Sequence, residues 1–85
     1  MPSKTVTVGS SVGLHARPAA LIAQAAAAGA TPVTLATAGG SPIDAGSALM
    51  IMTLGAKQGD EITVDGADQA LVDSIADLVS QDLDA

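Results

Sequence analysis

Cysteine, tryptophan, tyrosine and phenylalanine are all missing from this 85-residue chain, which has one histidine and only three basic residues. Each shortage removes a class of chemistry. No cysteine means no disulfide, no thiolate metal ligand and no thiol nucleophile. No Phe, Tyr or Trp means no platform of the usual kind on which nucleic-acid bases could stack. Nine acidic residues against three basic ones give a formal charge of −6, which repels phosphate backbones and anionic membranes, so neither is an expected partner. A metal would find one imidazole and otherwise carboxylates, so no metal or cofactor is expected. The opening stretch "MPSKTVTVGS" has no signal-like apolar run, and no segment approaches the ~20 apolar residues of a membrane span. The expectation is a soluble, cytoplasmic protein.

What remains is 48% hydrophobic, supplied by small and aliphatic side chains. The length suits a single domain over residues 1–85. Lys4 to Val8, "KTVTV", alternates with the period of a strand that buries one face. An alanine-rich stretch from Pro18 to Ala28 reads as a helix closed by Gly29. "TPVTLAT", Thr31 to Thr37, alternates again, and "AGGS" can turn it into a short strand near Pro42 to Asp44. Ser47 to Leu54 reads as a two-turn helix, with Ser47 as N-cap and Gly55 as stop. Asp60 to Asp65 is a fourth strand, and Leu71, Val72, Ile75, Leu78, Val79 and Leu83 form the apolar stripe of a final amphipathic helix. The order βαββαβα calls for an α+β open-faced sandwich, with helices covering the apolar face of the sheet. Pattern alone leaves the strand order open.

The sole histidine and the sole arginine lie two positions apart in "GLHARPAA", Gly13 to Ala20. A histidine at a helix start sits beside unpaired backbone N–H groups and the positive end of the helix dipole, a setting that favours anions. A phosphoryl group on His15 would share its charge with those N–H groups and the Arg17 guanidinium. Neutral imidazole is the form that attacks phosphorus. Pro18 is tolerated in a first helical turn, where its missing N–H breaks no bond. Taken singly, His15 reads as a capping or surface residue and Arg17 as a solvated charge; together they make an anion-favouring terminus. A Ser-His-Asp hydrolase using Ser10, Ser11 or Ser47 lacks a nucleophile-elbow spacing.

"GLHARPAA", the later "GSALMIMTLG" and the element order resemble HPr, the histidine-containing phosphocarrier family of the bacterial phosphoenolpyruvate-dependent sugar phosphotransferase system. The resemblance spans essentially the whole chain. It implies an antiparallel sheet in the order 1-4-2-3 with three helices on one face. It also implies a carrier rather than a free-standing enzyme: enzyme I phosphorylates Nδ1 of His15, Arg17 steadies the phosphoryl group, and IIA domains of sugar permeases receive it. A nitrogen-related branch of the same relay fits within that reading, and a monomer is expected.

By the same similarity, Ala16 and Ala20 with Ala48, Leu49, Met52 and Thr53 form an apolar partner-binding face. On spacing, Ile51 and Leu54 would face the sheet, and without the similarity Leu49, Met50 and Met52 read nearly as well as core. Ser47 matches the position at which a serine kinase phosphorylates many relatives, although a plain N-cap role also accounts for it. The alternative function is a regulatory module of the same fold, docking on a transcriptional regulator or enzyme and controlled by phosphorylation at Ser47. Gln24 stands where many members have lysine, and Met50 where they have glycine or lysine, so the basic rim that steers such proteins to acidic partners is largely missing.

Overall fold

The computed structural model describes residues 2–11 and 13–81. Its elements are β1 (Ser3–Thr7), α1 (Ala16–Ala28), β2 (Val33–Thr37), β3 (Ile43–Asp44), α2 (Ala48–Thr53), β4 (Glu61–Gly66) and α3 (Gln69–Ser80). The four strands form one antiparallel sheet ordered β1-β4-β2-β3, with the three helices against it, as expected for an open-faced sandwich.

Register explains how alternating sequences build two unlike faces. Val6 pairs with Ile62, and Leu35 with Val64; these side chains meet Ile22, Ile51, Val72, Ile75 and Val79 from the helices in one core. The next rows point away from the helices. Thr5 lies opposite Thr63, with their hydroxyls 3.1 Å apart, and Thr34 lies between Asp44 and Asp65. A one-residue slip would exchange the two faces, so burial of the aliphatic rows holds the pairing.

Two boundaries differ from expectation by two residues, for identifiable reasons. The strand expected from Thr31 starts at Val33, because Pro32 has no N–H to give the ladder. The helix expected from Pro18 starts at Ala16. A proline normally disfavours the helical conformation in the residue before it. Here Pro18 is the third helical residue, and the carbonyl four back, at Leu14, lies outside the helix, so Arg17 is held within the first turn. Gly29 closes α1 with φ of −77°, not in the left-handed region. Its small size is what matters, since a Cβ there would run into the Leu71 side chain.

The last helix keeps its stripe, with Val72, Ile75, Ala76 and Val79 buried, and Asp68 caps it by accepting from the Ala70 and Leu71 N–H groups. Leu83 lies outside the described residues. Lys4, on the inward side of edge strand β1, comes within 4.0 Å of Asp73 on α3; the pair is exposed and contributes little stability. No described helix is long and apolar enough to cross a membrane.

Candidate functional site

His15 is the N-cap of α1, in extended conformation (φ −89°, ψ −165°), and its carbonyl accepts the first helical bond, from Ala19 N–H at 2.9 Å. Arg17 follows as the second helical residue, and both side chains are exposed. The side chain of His15 makes no capping bond to the helix; instead Nδ1 lies 3.2 Å from the Gly13 carbonyl oxygen. The helix therefore presents its first N–H groups, a cation and an imidazole at one solvent-facing end, the combination that favours a phosphoryl group.

Two residues that sequence reasoning passed over hold this end in place. Leu14 is buried at 4% exposure and anchors the loop into the core. Its N–H donates to the Ala56 carbonyl at 3.0 Å, tying the segment before His15 to the chain just beyond α2. Gly13 makes that approach possible: its φ is +80°, and a Cβ would overlap the Ala56 carbonyl oxygen. The sequence signal was the glycine itself, two residues ahead of the histidine; what it touches could be learned only from the fold.

The loop contact brings the end of α2 towards His15, and the faces of α1 and α2 adjoin. Ala20, Ala23 and Ala27 of α1 line a groove with Gly46 and Ala48. On α2, Ile51 is fully buried and Leu54 packs against the core, while Leu49 is 69% exposed and Met50 and Met52 are also exposed. The reading of Leu49, Met50 and Met52 as core is therefore overturned: a six-residue helix buries one narrow stripe, and Ile51 occupies it. Ala16 and Thr53 are exposed, and Ala20 and Ala48 are half-buried; of the six apolar-face candidates, Ala20 and Ala48 are brought together by that groove. Ser47 caps α2, its hydroxyl accepting from Met50 N–H at 3.3 Å.

Charge is unevenly spread over the elements. Arg17 is the sole charged residue of α1, and α2 has none. Asp44, Asp60, Glu61, Asp65, Asp68, Asp73 and Asp77 all lie in or beside β3, β4 and α3. No group of three or more histidine or carboxylate side chains among the described residues is placed to hold a metal ion.

Comparison with known proteins agrees with this geometry. The family model described as the PTS HPr component phosphorylation site matches residues 2–81. The phosphocarrier protein HPr of Streptomyces coelicolor is 44% identical over 88 aligned positions, covering 99% of this chain and 94% of its own length. Among solved structures, HPr-C-His from Thermoanaerobacter tengcongensis superposes with a TM-score of 0.88 at 26% identity, covering 100% of this chain and 98% of that one. A phosphocarrier protein HPr from Bacillus anthracis str. Ames gives 0.77 at 32% identity, covering 91% and 94% of the two chains. With the family model, the near full-length identity and the fold all in agreement, this chain belongs to the HPr family of phosphocarrier proteins of the phosphotransferase system.

Proposed function

We propose that His15 takes a phosphoryl group from phosphorylated enzyme I and delivers it to IIA domains of sugar permeases, in the cytoplasm and with the protein acting as a monomer. The observation that carries this reading is the exposed His15 at the N-terminus of α1 with Arg17 one residue inside the helix.

The chemistry follows from the placement. The Nδ1 lone pair attacks phosphorus as the bond from phosphorus to the donor breaks. In the tautomer that donates Nδ1–H to Gly13, that nitrogen carries a proton; the attacking form has its proton on Nε2 instead. The phosphoryl oxygens then accept from the first N–H groups of α1 and from Arg17. A phosphorylated imidazole is itself a good leaving group, so the same site can give the phosphoryl group up. In-line alignment comes from the partner closing over the apolar face of Ala16, Ala20, Ala48, Leu49, Met52 and Thr53. Ser47, at the edge of this face, is a place where phosphorylation by a kinase would add negative charge beside Ala48 and weaken docking.

The test is to incubate the protein with enzyme I and phosphoenolpyruvate and to measure intact mass before and after brief acid. One acid-labile phosphoryl group is expected; an unmodified chain, under conditions that charge a control member of the family, would overturn the proposal.

Arg17→Lys keeps the charge but loses the planar fork, and is expected to slow phosphoryl uptake by about 10²-fold, the scale seen when one oriented donor is removed. Stopped reactions with labelled phosphoenolpyruvate measure it, and a change of less than threefold would remove Arg17 from the transfer step. The uncharged flank of α1 and α2 also predicts weak salt dependence. Between about 50 mM and about 300 mM salt the second-order rate with enzyme I should fall by less than about threefold, whereas a steep decline would show that charge steers the encounter.

A further inference from the structure

The two described methionines, Met50 and Met52, both lie on α2, and they are 41% and 38% exposed. Neither is among the buried residues of the core. Thiols are the groups that peroxides attack first, and this chain has none. Its thioethers are therefore its most readily oxidised side chains.

The two are not equivalent in position. Ala48 faces the groove towards α1, and Met52, four residues on, shares that side of the helix. Met50 stands on the opposite flank of Ile51, away from α1.

We propose that Met52 is an oxidation site at which peroxide weakens partner docking, so that phosphoryl relay through this protein is sensitive to oxidants; the docking consequence rests on the function proposed above. The sulfur lone pair attacks one peroxide oxygen, the O–O bond breaks and an S–O bond forms. The thioether is oxidised by two electrons to the sulfoxide, and the peroxide is reduced to water. A flexible apolar contact then becomes a polar one in the middle of the docking face, and a sulfoxide reductase reverses the change. Oxidation of Met50, on the far flank, leaves docking intact.

The experiment treats the full chain, Met50→Leu and Met52→Leu with hydrogen peroxide. Peptide masses locate the added oxygen, separating Met1 from the α2 pair, and phosphoryl uptake from enzyme I is compared with each protein's own untreated rate at limiting concentration. Wild type and Met50→Leu should slow by about tenfold, the loss expected when one methionine-sized apolar contact is forfeited. Met52→Leu should change little, and the melting temperature should stay put in all three. If Met52 takes no oxygen under conditions that oxidise a short methionine peptide, the site is refuted by the mass map alone. If it is oxidised while an active protein transfers at its untreated rate, the docking consequence is refuted and the carrier reading stands. An untreated chain that accepts no phosphoryl group overturns the carrier reading and the docking consequence together, while the mass map still decides the oxidation site.

Discussion

His15→Asn should accept no phosphoryl group from enzyme I, with a melting temperature equal to or above that of the parent. The two halves of this result have separate origins. Asparagine offers no ring nitrogen to attack phosphorus, and nothing else in "GLHARPAA" is a candidate nucleophile. Stability should survive because His15 occupies an N-cap with extended backbone and makes no capping bond with its side chain. Asparagine is among the most favourable N-cap residues, accepting from the backbone N–H groups of the first turn. The loss would therefore be chemical and not a consequence of unfolding. Intact mass after incubation with enzyme I and phosphoenolpyruvate reads the first half, and a thermal melt the second. Acid-labile phosphate on the folded variant would place the acceptor elsewhere.

Gly13→Ala is expected to lower stability by about 3 kcal/mol, combining left-handed strain with overpacking against a rigid neighbour. A domain of this size has a total stability on the order of 5–10 kcal/mol, and the loss corresponds to a fall of about 15 °C in melting temperature. The added methyl would meet the Ala56 carbonyl, with Lys57 Cα at 3.1 Å behind it. Both are backbone atoms. They cannot withdraw without stretching the bond from Leu14 N–H to Ala56, the same bond that places His15. Phosphoryl uptake should therefore slow even well below the melting temperature. Gly39→Ala separates the two contributions: Gly39 also has positive φ, at +74°, but nothing lies within 4 Å of its added Cβ. It should show the strain alone, about 1 kcal/mol. Equal effects at the two glycines would mean that the Ala56 contact is not what makes Gly13 necessary.

Both predictions turn on how far local sequence reaches. The residues of the chemistry were legible because motif and context coincide: one histidine, one arginine and a proline at the start of an alanine-rich run. The strands were legible because their apolar residues alternate, and α3 because its stripe recurs at three and four. Its buried Val72, Ile75 and Val79 are consequences of spacing along one element. Their physics is local, since side-chain period and backbone conformation are set by near neighbours.

Contacts between distant segments decided the rest. Whether Arg17 lay before α1 or inside it depended on where the helix began, and Leu14, held by the chain beyond α2, set that point. Whether Leu49, Met50 and Met52 were core or surface was undecidable from six residues, because so short a helix shows too few turns to reveal its buried side. Docking α2 through Ile51 settled it and left the other three exposed. The sequence by itself thus determined the elements, their order and the histidine proposed as acceptor, all of which rest on short-range periodicity and residue chemistry. The tertiary structure decided which apolar residues face outward and why Gly13 admits no side chain, because each depends on which distant segments pack together.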